Sequence, residues 1–361
     1  MNAVPPKTRV RALVIDDSAY NRATIAQILE ESQEVEVVGR AADGEEGLRL
    51  ALELKPDVIT LDLEMPRMDG FTFLRILMER QPTPVIIISS YSRKQNVFKA
   101  LELGALDFIA KPTHHISPEL SEIASELLSK VLMVRQLSFG VGRRPLAIDG
   151  APGTTPAGAA GRALQTGLVA IGASTGGPPA LQRLFQSLPR GLPLSYLVAQ
   201  HMPEKFTQAF AERLARYTGL PVKEAEDGEE ALPGRAYIAP GGRNLRLRWS
   251  ADRLVLEVRP APERAKYVPS IDELFSCAAE ALGERTLAIL LTGMGSDGCL
   301  GMRRVRERGG RTVAESQETA VIFGMPREAI DAGLVDRVLR LDEIPSEVER
   351  FSKKIQNGSQ S

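Results

Sequence analysis

The stretch VITLDLEMPRMDG, residues 58–70, joins an apolar run of strand length to an acidic turn that ends in glycine. The stretch VRALVIDD, residues 10–17, has the same order, with two carboxylates after an apolar run. Such runs alternate with helical patterns such as Tyr20–Glu31, and this alternation is typical of βα units around a parallel sheet. We therefore predict five units, closed by a helical segment at Pro118–Val134. The predicted strands are Val10–Ile15, Val35–Val38, Val58–Leu61, Val85–Ser89 and Asp107–Ile109.

Composition limits the class of protein. The chain has 361 residues, of which 43% are hydrophobic and 25% charged, so two domains are expected. A formal net charge of -1 provides no general attraction to nucleic acid or to anionic membranes. Cys277 and Cys299, the two cysteines, lack disulfide or zinc-site spacing, and no apolar stretch is long enough for export or membrane insertion. We predict a cytoplasmic protein.

Residues 135–166 differ from what precedes them. They include GAPGTTPAGAAG, which is rich in Gly, Ala, Pro and Thr and poor in large apolar side chains. Such a segment buries too little surface to form a core. We predict a first domain at residues 1–134, a flexible linker at 135–166, a second domain at 167–355 and a disordered tail at 356–361.

The second domain again alternates between strand-like and helical patterns. A helical pattern at Phe206–Thr218 is one example, and the runs LRLRW and RLVLEV flank a polar turn that favours an antiparallel hairpin. We predict a Rossmann-like, doubly wound, mainly parallel sheet that the hairpin makes mixed. Its predicted strands are Leu168–Gly172, Tyr196–Ala199, Ala236–Ala239 and Leu287–Thr292.

Three carboxylates follow strands of the first domain. Asp16 and Asp17 end its first strand and Asp62 ends its third, so all three should converge at the carboxyl edge of the sheet. Mg²⁺ would relieve their repulsion, because it prefers oxygen ligands. Ser89 and Lys111, after the fourth and fifth strands, would offer a hydroxyl and an ammonium to phosphoryl oxygens. An isolated acidic pair is as often two solvated loop acids.

The combination of DD, LDLEMPRMDG, SS and KP across residues 10–134 resembles the receiver domains of two-component response regulators. The resemblance implies a flavodoxin-like (βα)5 fold, a bound Mg²⁺ and a histidine kinase as phosphodonor. It also implies a set of site residues: Asp62 as phosphoacceptor, Asp17, Asp62 and the Glu64 carbonyl as Mg²⁺ ligands with Asp16 in support, and Ser89 and Lys111 at the phosphoryl group. Phe108 stands at the family's aromatic switch position, where a plain core aromatic is an equal alternative. A cis Lys111–Pro112 bond is expected by the same resemblance.

GASTGG, residues 172–177, places Ser174 on a turn between a predicted strand and a helix. Glycines allow a tight turn that exposes the hydroxyl, and the helix start offers free N–H groups where an oxyanion would form. The same turn could cradle a nucleotide phosphate, although no P-loop lysine follows it. Both readings stay open on this motif alone.

A serine nucleophile needs a base, and the chain has three histidines. His114 and His115 adjoin the KPT loop and are interpreted as solvated. His201 follows the strand YLVAQ, on the same sheet edge as Ser174, and LLTGMGSDG supplies Asp297 from another strand end. The order Ser, His, Asp differs from that of α/β-hydrolases, so geometry has to decide.

The segments IGASTGGPPAL, QHMPEKFTQAFAERL, LPGRAYIAPGG, PSIDELF, LTGMGSDG and VIFGMPREAI closely resemble the catalytic domain of the chemotaxis protein-glutamate methylesterases, the CheB family, over roughly residues 167–345. The resemblance implies Ser174 as nucleophile, His201 as base, Asp297 as orienting acid, and the N–H groups of Thr175 and Met294 at an oxyanion hole. It implies hydrolysis of γ-glutamyl methyl esters on chemoreceptors with release of methanol, controlled by phosphorylation, together with glutamine deamidation, and no cofactor in this domain.

The chain departs from the family pattern at two places. Asn244 stands shortly after IAPG, where the family often has histidine, and KYV precedes PSID, where the family more often has basic or histidine residues. An altered auxiliary substrate contact is expected at Asn244. The alternative function is a phosphorylation-gated, receptor-binding adaptor without catalysis. A transcription factor is disfavoured because no basic helix-turn-helix follows. The expected partners are chemoreceptors and a histidine kinase, with no nucleic acid, no membrane insertion and a monomeric state.

Overall fold

The structure is a computed structural model that describes residues 9–90, 94–111, 123–137 and 167–358. Within those ranges the chain forms two compact units that divide between Leu137 and Gly167. Most of the predicted linker lies outside the described residues, as do His114, His115 and the Lys111–Pro112 bond. A short 3-10 helix at Met133–Gln136 continues the last helix of the first unit into the first residues assigned to the linker.

The first unit is a five-stranded sheet in the order β2-β1-β3-β4-β5, with all neighbours parallel. The strands are β1 (Val10–Ile15), β2 (Val35–Ala41), β3 (Val58–Leu61), β4 (Val85–Ser90) and β5 (Asp107–Lys111). The helices are α1 (Ala19–Glu30), α2 (Gly44–Leu54), α3 (Gly70–Arg80), α4 (Lys94–Glu102) and α5 (Ala124–Leu132). The predicted five βα units are confirmed. The strand order reverses between β1 and β3, which makes their carboxyl ends the topological switch point.

Local sequence determines how these elements begin. Ser18, Asp43 and Asp69 cap α1, α2 and α3 by accepting hydrogen bonds from amides of the first turn. Gly70 is required by close packing, since a Cβ there would lie 2.5 Å from the backbone oxygen of Asp62. This approach holds the start of α3 directly against the end of β3.

The second unit is a seven-stranded parallel sheet in the order β14-β13-β12-β6-β7-β9-β8, accompanied by a hairpin of β10 and β11. Its strands are β6 (Gly167–Ala173), β7 (Leu194–Gln200), β8 (Val222–Glu224), β9 (Ala236–Ile238), β10 (Arg243–Ser250), β11 (Arg253–Pro260), β12 (Thr286–Leu290), β13 (Arg311–Glu315) and β14 (Arg337–Leu339). Its helices are α6 (Gly177–Ser187), α7 (Phe206–Thr218), α8 (Ile271–Leu282), α9 (Cys299–Glu307), α10 (Met325–Asp331) and α11 (Ile344–Gly358). The switch point lies between β6 and β12.

Two expectations for this unit are wrong in detail. The hairpin forms a two-stranded sheet of its own, so the main sheet is parallel throughout and not mixed. The hairpin packs on α8, where the Trp249 indole donates to the Ala281 carbonyl oxygen at 2.7 Å. Helix α11 extends through Gly358, so the disordered tail predicted from residue 356 is wrong for residues 356–358.

The central strands β6 and β7 are buried along their whole length. A parallel strand that is covered on both faces is expected to be mainly apolar. Strand β6 is apolar throughout, whereas β7 also buries the polar Ser195 and Gln200. None of the helices in the described ranges is long and apolar enough to cross a membrane.

Candidate active site and carboxylate cluster

Ser174 lies in the turn between β6 and α6. Its amide donates to the Thr292 carbonyl oxygen at 3.0 Å, and its own carbonyl oxygen accepts from the Gly177 amide at 2.8 Å. Gly176 has φ +77°, and a Cβ there would lie 2.8 Å from Val321 Cβ, so both backbone conformation and space require glycine. The turn therefore presents the serine hydroxyl at the switch point of the sheet.

Three predicted site residues meet there in one hydrogen-bonded chain. His201 Nδ1 lies 3.2 Å from Ser174 Oγ, and His201 Nε2 lies 2.8 Å from Asp297 Oδ2. His201 directly follows β7, which is the neighbour of β6, and its amide donates to the Ala173 carbonyl oxygen at 3.0 Å. The arrangement has the connectivity of a nucleophile, a base and an orienting carboxylate.

Asp297 is held by the amino end of α8. Its carboxylate accepts from the Ile271 amide at 2.8 Å and the Asp272 amide at 2.9 Å, and Ser270 Oγ lies 3.4 Å away. Burial alone would raise the pKa of Asp297, but the hydrogen bonds from His201 and these amides outweigh burial and lower the pKa. The carboxylate thus stays ionised beside the imidazole.

Tyr267 forms a wall of the site that sequence reasoning missed. Its ring stacks on the His201 imidazole, with centroids 5.1 Å apart and planes 5° apart. Gly295, with φ +98°, leaves room for it, since a Cβ there would lie 2.3 Å from the tyrosine hydroxyl. In the sequence, the segment KYV is notable only because it departs from the family pattern. That departure draws attention to the position of Tyr267 but does not indicate what the side chain does.

Gln200 is a second missed residue. Its side-chain Nε2 donates to the Ser174 carbonyl oxygen at 2.9 Å and to the His201 carbonyl oxygen at 3.0 Å. The side chain is 2% exposed and sits between the two loops that carry the hydroxyl and the imidazole. It fixes their spacing through the backbone.

Thr175 and Met294, the predicted oxyanion donors, lie on adjoining loops. The Thr175 carbonyl oxygen accepts from Thr292 Oγ1 at 2.9 Å. Met294 follows Gly293, where a Cβ would lie 2.7 Å from Ser174 Cβ. The segment that carries Met294 therefore packs directly against the serine turn that carries Thr175.

Asn244 is a structural residue in this fold. It is 2% exposed, its Oδ1 accepts from the Ser270 amide at 2.9 Å, and its Nδ2 donates to Glu273. Arg246 Nη1 also donates to Glu273, at 2.9 Å. The residue that replaces the family's histidine joins the hairpin to the start of α8, and through Ser270 it supports the loop of Asp297.

In the first unit the predicted carboxylates converge. Oxygens of Asp16, Asp17 and Asp62 lie within 4.8 Å of one another at the ends of β1 and β3. Asp16 is buried, Asp17 is exposed and Asp62 is intermediate. A cluster of hard oxygen donors that is open on one side fits a divalent cation such as Mg²⁺.

Lys111 is drawn into the same cluster. Its Nζ lies 2.9 Å from Asp16 Oδ2 and 2.5 Å from Asp62 Oδ2. Burial lowers the pKa of Lys111, but Asp62 and Asp16 outweigh it and raise the pKa above its ordinary value. Burial raises the pKa of Asp16 more than Lys111 lowers it. Lys111 therefore stays protonated and positively charged beside Asp62.

Ser89 and the Glu64 backbone lie at the same sheet edge, whereas Phe108 lies within β5. Ser89 is 4% exposed near the end of β4 and is in register with Ala110, next to Lys111. The Glu64 amide donates to Asp62 Oδ1 at 3.3 Å, which keeps the Glu64 backbone at the cluster. Phe108 is 3% exposed and packs edge-on against Phe98, which is the position of a core aromatic.

Known protein families match both of the regions that contain these sites. Residues 169–348 match the family model for CheB methylesterase, and residues 12–120 match that for the response regulator receiver domain. A protein-glutamate methylesterase/protein-glutamine glutaminase of Geobacter sulfurreducens is 48% identical over 358 residues, covering 94% of this chain and 96% of that protein. The chain belongs to the CheB family. A Myxococcus xanthus protein of the same description is 50% identical over 340 residues, covering 93% of this chain and 95% of that protein.

A solved structure supports the fold of the CheB catalytic unit. The Thermotoga maritima CheB methylesterase catalytic domain is 40% identical, with a TM-score of 0.50, and the match covers 52% of this chain and 98% of that one. In this CheB family member the Ser174 turn, the His201 strand end and the Asp297 loop all fall within the matched family range. The carboxylate cluster falls within the range of the receiver match.

Proposed function

We propose that this protein is a protein-glutamate methylesterase and protein-glutamine glutaminase in which Ser174 is the nucleophile and the receiver domain regulates the activity. The catalytic domain begins at residue 167, and residues 1–134 form the regulatory domain. The observation that carries the assignment is the hydrogen-bonded chain from Ser174 through His201 to Asp297 at the switch point. Ligand sites of open α/β sheets lie at such positions.

In the first half-reaction, Ser174 Oγ attacks the carbonyl carbon of the γ-glutamyl methyl ester while His201 Nδ1 takes the hydroxyl proton. The C–O bond to the methoxy group then breaks, and the departing oxygen receives that proton, so methanol leaves and a glutamyl ester of Ser174 remains. The ionised Asp297 stabilises the positive charge on the imidazole and keeps Nδ1 directed at the serine.

In the second half-reaction, water attacks the glutamyl ester and His201 Nδ1 takes one of its protons. The bond to Ser174 Oγ breaks, that proton passes to the serine oxygen, and the released glutamic acid gives its remaining proton to solvent and becomes a carboxylate. The oxyanion that forms in each half-reaction would be held by the N–H groups of Thr175 and Met294. Their placement on adjoining loops supports this role.

The same nucleophile would act on glutamine. Attack on the side-chain amide releases ammonia in place of methanol, and the second half-reaction is unchanged. The names of the two relatives include both activities. We infer that the substrates are glutamyl methyl esters and glutamines of chemoreceptors, as the family membership implies.

Asp62 is the proposed phosphoacceptor, with a histidine kinase as the donor. Its carboxylate would attack the phosphorus of the kinase's phosphohistidine, the P–N bond would break, and the histidine would be the leaving group. Lys111 and Ser89 would contact the transferred phosphoryl oxygens. The Lys111 ammonium, 2.5 Å from Asp62 Oδ2, supports this assignment because it offsets the charge of the incoming group. Asp16, Asp17, Asp62 and the Glu64 carbonyl would hold Mg²⁺, which neutralises phosphoryl charge when bound.

The proposed cellular location is the cytoplasm. Cys277 is buried and unpaired, and Cys299 is also free. Unpaired cysteines of this kind are typical of a reducing compartment.

Replacing Ser174 by Ala tests the hydrolase assignment. We expect methanol release from a methylated receptor fragment to fall by at least about a thousandfold, because the members of such a site act as a unit. Ser187→Ala, an exposed serine at the end of α6, is the matched control and should keep wild-type activity. If Ser174→Ala released methanol at nearly the wild-type rate, the alternative of a noncatalytic receptor-binding adaptor would be favoured.

A further inference from the structure

Glu315 is a buried acid that the proposed reaction does not use. It is the last residue of β13, the neighbour of β12, and it is 0% exposed. Its Oε2 accepts from the Thr292 amide at 2.9 Å. Within the described residues its Oε1 has no hydrogen-bond partner. A carboxyl with one oxygen bonded and one unbonded is an unusual group to bury.

Thr292, the partner of Glu315, connects to the serine turn by two further bonds. Its carbonyl oxygen accepts from the Ser174 amide at 3.0 Å, and its Oγ1 donates to the Thr175 carbonyl oxygen at 2.9 Å. The Ile322 amide donates to the same Oγ1 at 2.9 Å. Thr292 therefore ties the nucleophile and a proposed oxyanion residue to Glu315.

The surroundings of Glu315 disfavour its charged form. Burial raises its pKa and outweighs the opposite effects of the Thr292 amide, of the nearby Thr319 hydroxyl, which makes no hydrogen bond to Oε1, and of the Arg183 guanidinium of α6. The resulting pKa is about 7. Among the described residues, the charge that favours ionisation of this carboxyl is that of Arg183, whose side chain is exposed to solvent. Ionisation would thus leave a poorly compensated negative charge behind the serine turn.

We propose that Glu315 is a positioning residue that supports the Ser174 turn through Thr292 as a neutral acid, and that its ionisation slows the reaction. Negative charge develops on the carbonyl oxygen of the substrate during attack by Ser174. A second negative charge nearby, in a region of low dielectric constant, opposes it. This inference rests on the proposed function.

The test compares the pH dependence of kcat and KM for methanol release by the wild-type protein and by Glu315→Gln, over about pH 6 to 9. Glutamine keeps an oxygen for the Thr292 amide and cannot ionise. We expect wild-type kcat to fall by about tenfold on the alkaline side, since such a loss corresponds to one pKa unit of differential interaction. Glu315→Gln should show no alkaline fall, and KM should change little in either protein.

Two more proteins complete the test. Glu318→Gln removes an exposed acid from the loop after β13 and should reproduce the wild-type profile. Glu315→Ala removes the acceptor for the Thr292 amide and should lower kcat at every pH. A wild-type kcat without an alkaline fall would overturn the proposal by itself, so the conclusion does not depend on folding of a variant. An alkaline fall that persists in Glu315→Gln would overturn it as well. Absence of methanol release from the wild type at every pH would instead refute the proposed function.

Discussion

Tyr267 and His201 form a stacked pair whose geometry limits how the imidazole can turn. The tyrosine ring, with its centroid 5.1 Å away, covers one face of the imidazole while the two imidazole nitrogens bond to Ser174 and Asp297. An imidazole fixed at both nitrogens and on one face would lose little freedom on taking the serine proton in the proposed reaction. Contacts between side chains therefore pre-organise the imidazole, without any movement of the backbone.

Substitution of Tyr267 tests the role of the stack. Tyr267→Ala should lower kcat for methanol release by up to about tenfold, because aromatic pairs contribute ~0.5–1.5 kcal/mol beyond the area they bury. Tyr267→Phe should retain most of the activity because it keeps the ring. Tyr217→Ala on α7 is the control for loss of a partly buried tyrosine elsewhere. Equal losses in the Phe and Ala variants would show that the hydroxyl, and not the ring, is what matters.

Among single residues, the sequence could predict those that have a reactive side chain and also stand at the end of a predicted strand. Ser174, His201 and Asp297 follow apolar strands, and the structure places them in one chain of hydrogen bonds. Tyr267 could not be found in this way, because it lies in an irregular segment and acts through ring stacking. Glu315 could not be found either, since a single acid in a strand gives no sign of which backbone amide it will meet.

The amino end of α8 holds Asp297, the proposed orienting acid, in place. Its N-cap Ser270 accepts from the Glu273 amide at 3.2 Å, and the next two amides donate to Asp297. The partial positive charge of a helix start favours a carboxylate at this place. The helix therefore contributes both position and charge to the site.

Ser270→Ala tests this contribution. We expect a loss of about 1 kcal/mol in the free energy of unfolding, which is typical of a lost N-cap. Chemical denaturation measures the change, and Ser276→Ala, in the middle of the same helix, is the matched control with little expected effect. Equal effects of the two substitutions would contradict a capping role.

The pH dependence of stability tests burial of Glu315 in β13 without any substrate. Its pKa rises from an ordinary 4.5 to about 7 in the folded protein, so the folded state binds more protons between these values. The contribution of this group to stability is complete below the unfolded pKa and is lost as pH rises through the folded pKa. From about pH 5 to 8 the melting temperature of the wild type should fall relative to that of Glu315→Gln. A difference that does not vary with pH would contradict the raised pKa.

Elements with long apolar or amphipathic patterns were predictable, and short or polar ones were not. The helix Phe206–Thr218 was predicted with the bounds that the structure gives it. The strands β8 and β14 have three residues each, and β14 is exposed at two of them. Strand β13, with the sequence RTVAE, does not have the apolar pattern of a buried strand, because Thr312 and Glu315 are polar although both are buried. Such strands depend on neighbours that a local pattern does not reveal.

In the molecule as a whole, each of the two parallel sheets has one candidate site, and both sites occupy the same position relative to their sheet. In each unit the site lies where the strand order reverses, at β1 and β3 in the first and at β6 and β12 in the second. Residues at predicted strand ends therefore indicate both sites from the sequence alone. The hairpin's separation from the main sheet could not be predicted in this way, because strand pairing across a long sequence distance is set by packing on α8.

The proposed control of a hydrolase centred on Ser174 by Asp62 can be measured as methanol release from a methylated receptor fragment. The assay compares the wild type with Asp62→Asn, each with and without a small-molecule phosphodonor and Mg²⁺. We predict that the phosphodonor raises the wild-type rate by about tenfold or more, as expected for a coupling of ~1–3 kcal/mol, and leaves Asp62→Asn at its basal rate. A wild-type rate that does not respond to the phosphodonor, or an equal response in Asp62→Asn, would show that Asp62 does not control the hydrolase.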